Sequence, residues 1–210
     1  MAEQRTNKTF WEISACIYGR FMRKNDAGYE GIAQAAAPWM TSNSRVLELA
    51  CGTGQLTGRL APLAKKWVAT DFSPKMVEHA RASVSGPNIV FETADATSLP
   101  YSDASFELVL IANALHVMPH PGDALKEIMR VLVPGGILVA PTFVQAERSA
   151  PLTIWLMKKA GLLFHPWHSG EYIQFIASQG FSIASSALIP GSPLDECLVI
   201  GKKPAAADEA

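Results

Sequence analysis

Glu48 stands four residues before Gly52, Gly54 follows two residues later, and Asp71 lies nineteen residues beyond Gly52. Residues of these types at this spacing can hold a ligand that carries a sugar. A glycine-rich turn takes backbone conformations closed to residues with a Cβ and lets a ligand lie against the main chain. A helix that starts at the turn directs its unpaired N–H groups to the same place. An acidic residue about twenty positions further on suits hydrogen bonds from the hydroxyls of a ribose. The set therefore reads as a site for a nucleoside-containing cofactor, with Gly52, Gly54 and Asp71 its firmest members.

Such residues need strands to bring them together. Strand 46–50 is apolar and stops at the glycine turn, and strand 67–71 ends in Asp71. Around them the hydrophobic pattern predicts helices over 54–64, 74–84 and 122–132 and strands over 89–93, 106–112 and 136–143. Ser73-Pro74 is a helix start, with Ser73 as cap and Pro74 at the first helical position. Continuously apolar strands alternating with helices call for a parallel sheet covered on both faces. Ligands then bind beyond the carboxyl ends of the strands, where the strand order reverses. The last third differs. Helices are expected over 150–163 and from Ser169 to Gln179, followed by strand-like runs over 181–189 and 194–201. Pro190-Gly191-Ser192-Pro193 joins these runs in an antiparallel hairpin. Ahead of the first strand, Phe10, Trp11, Ser14, Ile17, Tyr18 and Phe21 fall at helical spacing, and a second helix is expected over 29–37.

Composition narrows the class. With 210 residues and 49% hydrophobic content, the chain suits one well-buried domain, expected over 1–203, with a disordered tail over 204–210. A net charge of −1 with intermixed signs gives no support for a nucleic-acid or anionic-membrane surface. Cys16, Cys51 and Cys197 form no metal spacing and no close pair, so a reducing compartment is expected. The first residues lack the apolar core of a signal peptide. The longest apolar stretch, 108–118, is too short to span a bilayer and contains Asn113 and His116. These features predict a soluble, cytoplasmic protein without a membrane span; they say nothing of oligomeric state.

The turn also discriminates between cofactors. A dinucleotide-binding loop, G-x-G-x-x-G, would place its third glycine at position 57, where this chain has Thr57. By contrast, Glu48-Leu49-Ala50-Cys51-Gly52-Thr53-Gly54 resembles the first motif of the class I S-adenosylmethionine-dependent methyltransferases, with Ala50 replacing the commoner glycine. Val68-Ala69-Thr70-Asp71-Phe72-Ser73-Pro74-Lys75-Met76 resembles their second motif. Ala94-Asp95-Ala96-Thr97-Ser98-Leu99-Pro100 with Ser105-Phe106-Glu107-Leu108-Val109, and Arg130-Val131-Leu132-Val133-Pro134-Gly135-Gly136-Ile137-Leu138, resemble the next two. The resemblance runs in family order over roughly 45 to 143 and is nearest to the small-molecule enzymes of ubiquinone/menaquinone-biosynthesis type. It implies an α/β, doubly wound Rossmann-like fold: a seven-stranded sheet, mostly parallel, with an antiparallel C-terminal hairpin strand. It also implies S-adenosyl-L-methionine as cofactor and a small-molecule methyl acceptor as partner.

Residue by residue, the resemblance assigns Ala50, Cys51, Gly52 and Gly54 to the cofactor loop and Asp71 to both ribose hydroxyls. Glu48 would act through the methionine ammonium, and Asp95 and Ala96 would read the adenine. Phe72 and Met76 would pack against adenine or ribose. Asn113 and Ala114 would end the fourth strand beside the methyl group. Tyr18 would close over the cofactor from an N-terminal lid spanning 1–42, and 144–180 would supply substrate-region helices. The [DN]-P-P-[FY] sequence of many amino-methylating enzymes is replaced by Asn113-Ala114-Leu115-His116, which counts against that subclass. His116 is the candidate base. Pro119 between His116 and His120 argues against a helical two-histidine metal site, and no metal is expected. His165 and His168 are candidates for the acceptor pocket. Trp11, Tyr18, Phe21, Trp155, Phe164 and Trp167 add aromatic surface outside the cofactor motifs, which points to an apolar or aromatic acceptor. Two other readings compete: an NAD(P)-dependent oxidoreductase, and a non-catalytic S-adenosylmethionine-binding protein.

Overall fold

The computed structural model describes residues 26–146, 149–159, 161, 163–189 and 194–205. Tyr18 with the rest of the expected N-terminal helix, the 190–193 turn and positions 206–210 of the expected tail lie outside the described residues.

Seven strands form one sheet: β1 (Arg45–Leu49), β2 (Lys66–Asp71), β3 (Ile89–Thr93), β4 (Phe106–Ile111), β5 (Leu132–Gln145), β6 (Ser182–Ile189) and β7 (Leu194–Lys202). Their order is β3-β2-β1-β4-β5-β7-β6. The first five are parallel to one another, and β7 runs antiparallel between β5 and β6. This is the mostly parallel α/β sheet with an antiparallel C-terminal strand that the chain implies. The order reverses between β1 and β4, so a crevice opens there beyond the strand ends.

Alternate side chains of the strands feed two apolar layers. Leu47, Leu49, Val109 and Ile111 join Leu125, Ile128, Tyr172 and Ile176, from α4 (Pro121–Val131) and α6 (Ser169–Ser178). Val46, Trp67, Leu108 and Leu110 join Ile32, Leu56, Leu60, Val77 and Ala80, from α1 (Asp26–Ala36), α2 (Gln55–Leu60) and α3 (Pro74–Ser83). Burying each large aliphatic side chain contributes about 1.5–3 kcal/mol. The remaining helix, α5 (Pro151–Lys159), leaves Leu152, Trp155 and Leu156 exposed.

Where the element boundaries differ from expectation, the causes are local. The helix expected over 54–64 stops at Leu60 and gives way to a single tight turn, Ala61–Leu63. Pro62 lacks the N–H that a continuing α-helix needs. Strand β5 begins at Leu132, not 136, because Leu132 pairs with Phe106 before Pro134-Gly135-Gly136 bulges out and pairing resumes at Leu108 and Ile137. Gly135 takes a φ of +76°, which favours glycine. Ser73 caps α3 as expected, its Oγ accepting from the Met76 N–H at 3.4 Å. At α6 the cap is His168, and Ser169 is the first helical residue. The His168 side chain accepts a backbone N–H while Glu171 Oε2 accepts from the His168 N–H at 2.8 Å, a reciprocal capping pair.

Candidate functional site

A cavity lies at the carboxyl ends of β3, β2, β1 and β4, across the point where the strand order reverses. The loop after β1 forms its floor. Ala50, Gly52 and Gly54 all have left-handed backbone, with φ of +54°, +54° and +81°. The left-handed conformation costs a residue with a Cβ on the order of 1–2 kcal/mol, so Ala50 holds strain at the very turn that lines the cavity. Gly54 is not a lining residue; a Cβ there would come within 3.1 Å of Val84 Cγ2. Its place in the loop is therefore to let α2 start close against the residue that ends α3.

Asp71 ends β2 and ties the loop to the strand. Its Oδ2 accepts the Gly52 N–H and its Oδ1 the Ser73 N–H, both at 2.9 Å. Burial pushes its carboxyl upward, and these backbone donors pull it partly back. Each carboxylate oxygen has two acceptor positions, so the pair still has room for two incoming hydroxyls. The Gly52 N–H, by contrast, is already used within the protein.

Glu48 is reached from the opposite side. It lies on the face of β1 that carries Val46, in contact with α2, and its Oε2 accepts from Thr57 Oγ1 at 2.5 Å and from Trp67 Nε1 at 2.8 Å. Thr57 thus sits where a dinucleotide loop would need glycine and there holds the glutamate instead. Burial pushes the Glu48 carboxyl up to about 7, with the two donors and the nearby Asp71 charge as smaller influences.

Beyond β3, Asp95 Oδ1 accepts from Thr97 N–H and Oγ1 at 2.9 and 2.7 Å, and Asp95, Ala96 and Thr97 all line the cavity. Met76 is buried in the wall and Phe72 is partly exposed beside it. Cys51 is a lining residue whose thiol burial keeps protonated. Asn113 and Ala114, following β4, close the end remote from Asp95. Of the residues singled out from sequence, Glu48, Ala50, Cys51, Gly52, Asp71, Phe72, Met76, Asp95, Ala96, Asn113 and Ala114 converge on one cavity. Residues not foreseen also line it, among them Tyr29, Gln55, Val117, Met118 and His120. Tyr29 comes from the helix before β1, which the sequence marked only as a helix over 29–37.

His116 lies elsewhere. It is 4% exposed, absent from the lining, with Nδ1 3.0 Å from Thr142 Oγ1 and its ring edge-on to Phe143. Burial, with His165 nearby, pushes its imidazole down to about 3, so it stays neutral at physiological pH. His120 is the imidazole on the wall. His116→Asn is accordingly expected to leave cofactor affinity and the pH dependence of turnover unchanged, while costing about 1–2 kcal/mol of stability through the lost Thr142 bond. Urea denaturation and titration calorimetry on the variant check both halves. His165 donates Nε2–H to the Met118 carbonyl at 3.0 Å and stacks on Trp167, which stacks in turn on Phe175. These three aromatic rings border a shallow hollow that shares Pro119 and His120 with the cavity.

The strand order and the placement of this cavity are those of a doubly wound α/β sheet with a ligand crevice at its reversal point. Residues 46–136 match the family model described as a methyltransferase domain. The chain is 41% identical over 111 residues to a demethylmenaquinone methyltransferase of Clavibacter sepedonicus, covering 52% of this chain and 44% of that protein. It is 32% identical over 149 residues to the demethylmenaquinone methyltransferase of Lactiplantibacillus plantarum, covering 64% and 63%. The match thus spans less than two thirds of these relatives' length. Among solved structures, a methyltransferase-type protein of Bacillus halodurans superposes with a TM-score of 0.74 at 19% identity, over 85% of this chain and all of that one. Residues 46–136 are thus similar to methyltransferase domains, and the chain as a whole shares the fold of the solved methyltransferase-type structure. Among the described residues no helix is long and apolar enough to cross a membrane.

Proposed function

We propose that this chain transfers a methyl group from S-adenosylmethionine to a small aromatic or apolar acceptor. The observation that carries the reading is the charge of the cavity. Glu48, Asp71 and Asp95 line it, and among the described residues no lysine or arginine does. A carboxylate-lined wall favours a cationic ligand and disfavours the pyrophosphate of a dinucleotide. The Gly52 N–H, which a pyrophosphate would need, is occupied by Asp71.

S-adenosylmethionine, when bound, supplies a methyl group already activated on a sulfonium. The chain's own contribution is then chiefly to bind, align and exclude water. Asp71 receives the ribose hydroxyls, the Asp95 loop borders the adenine, and the apolar run Ala114, Val117, Met118 and Pro119 shields the acceptor side from water. His120 is the imidazole placed to take a proton from an acidic acceptor. The relatives named for demethylmenaquinone support an aromatic acceptor, as do the stacked rings of His165, Trp167 and Phe175 beside the cavity.

Calorimetric titration with S-adenosylmethionine, S-adenosylhomocysteine and NADH tests the cofactor, followed by transfer of labelled methyl to a panel of hydroquinones, phenols and thiols. Binding of the first two ligands alone, with transfer to a hydroquinone, is the expected result. NADH binding would restore the oxidoreductase reading. Cofactor binding without transfer to any acceptor would favour a non-catalytic binding protein.

A further inference from the structure

Asn113 departs from its surroundings in three ways. It follows the central strand β4 with a left-handed φ of +52°, and its N–H is anchored to the Pro141 carbonyl at 2.8 Å. Its Nδ2 donates to Glu196 Oε1 at 2.8 Å. Its Oδ1 is buried and, among the described residues, has no hydrogen-bond partner. A buried carbonyl without a donor forfeits its hydration and gains nothing in return, so such atoms are rare unless a ligand or an ordered water completes them. Asn113 is only 7% exposed, yet it lines the cavity.

Glu196 explains which way the amide faces. It lies on β7 opposite Phe143 of β5, and it is 5% exposed with, among the described residues, no basic side chain bonded to it. A carboxylate only accepts hydrogen bonds, so it draws the amide NH2 and turns the carbonyl away. The backbone anchor on Pro141 and the side-chain anchor on Glu196 together leave the Asn113 amide little freedom.

The position of this carbonyl says what it meets. The sheet order places β2, β1 and β4 side by side, so Asn113 stands across the β1 loop from Asp71, at the end of the cavity away from the sugar site. Its neighbours in that wall are the apolar Ala114, Val117, Met118 and Pro119, followed by His120. One fixed acceptor atom in an apolar wall orients an aromatic molecule by a single O–H. We propose that Asn113, held by Glu196, accepts a hydrogen bond from a hydroxyl of the methyl acceptor, so that the site selects hydroxylated aromatics. Asn113 is the binding residue and Glu196 a positioning residue. This assignment rests on the methyl-transfer reading above.

Calorimetry on the S-adenosylhomocysteine complex, with 1,4-dihydroxynaphthalene and 1,4-dimethoxynaphthalene as probes under anaerobic conditions, tests it. The two probes share the ring and both oxygens, the second carrying bulkier O–CH3 groups in place of the O–H donors. The Glu196 variants leave the cavity lining in place and so separate donor from size. The wild type is expected to bind the dihydroxy probe at least tenfold more tightly. Asn113→Gly, which tolerates the left-handed backbone, and Glu196→Ala should each reduce that preference to within twofold, with S-adenosylhomocysteine affinity within threefold of wild type. Glu196→Gln should restore the preference, because its carbonyl can still receive the Asn113 NH2; a residue that merely filled space would show no such distinction between Ala and Gln. Equal or absent binding of both probes to the wild type overturns the proposal, and so does a preference that survives Asn113→Gly. A tenfold or greater loss of S-adenosylhomocysteine affinity in Asn113→Gly also overturns it, by assigning the carbonyl to the cofactor's ammonium. Failure of the wild type to bind S-adenosylhomocysteine overturns the methyl-transfer reading itself.

Discussion

Asp71→Ala is expected to weaken binding of S-adenosylmethionine and S-adenosylhomocysteine by about two orders of magnitude. On the proposed reading two hydroxyl bonds to a buried carboxylate are lost, and at about 1.5–3 kcal/mol for each hydrogen bond to a charged group the low end of that range gives such a loss. The substitution has a second effect on the same site. Asp71 accepts the Gly52 and Ser73 N–H groups, so its removal frees the loop whose left-handed turn shapes the cavity floor. Asp71→Asn should be nearly as damaging. Its NH2 would have to face one of those two N–H groups, donor against donor, while its single carbonyl serves the other. Folding stability should fall far less than affinity, by about 1–2 kcal/mol. Burial already raises the Asp71 carboxyl, so removing the charge offsets part of the cost of the unpaired N–H groups. Titration calorimetry gives the affinity and urea denaturation the stability. An affinity within threefold of wild type would show that the sugar binds elsewhere.

Much of this arrangement was legible in the chain because it is local. Glycine spacing, a strand that ends in an acidic residue and a Ser-Pro helix start each constrain a few consecutive residues, and the structure brings Gly52, Asp71 and Ser73 to one cavity. What the sequence did not display are contacts between residues far apart in the chain. Thr57 reads as a missing glycine, and only the approach of α2 to β1 shows it bonded to Glu48. Glu196 carried no signal at all. It is one acidic residue in the last strand, and it reaches Asn113 because β7 inserts beside β5, which brings together residues 83 apart. His116 shows the converse. Its position after β4 suggested exposure at the site, but the short helical turn Leu115–Val117 directs it into the core against Thr142 and Phe143.

Glu48→Gln is expected to change how stability responds to pH. The Glu48 carboxyl is pushed from 4.5 up to about 7, chiefly by burial. Between those values the folded chain keeps a proton that the unfolded chain has released, so stability falls as pH rises through the window. The contribution is complete below pH 4.5 and gone above about 7, a span worth about 3 kcal/mol at roughly 1.4 kcal/mol per pKa unit. Glutamine keeps a carbonyl for Thr57 and Trp67 but has nothing to ionise. The variant should therefore match wild type near pH 4.5 and exceed it by up to about 3 kcal/mol at pH 8. His116 acts in the opposite sense, because an imidazole held down at about 3 makes stability rise with pH up to its ordinary 6.5. The wild-type profile alone is consequently shallow, and only the difference between variant and wild type isolates Glu48. Urea denaturation at pH 4.5, 6 and 8 measures that difference; a flat difference would mean that Glu48 is ionised throughout. The same proton links to the ligand. A cation entering beside Glu48 favours the carboxylate, so S-adenosylmethionine should release a fraction of a proton on binding near pH 7. Calorimetry in buffers of different ionisation enthalpy should show that release in the wild type and its reduction in Glu48→Gln. An equal release from both proteins would shift the titration to Asp71.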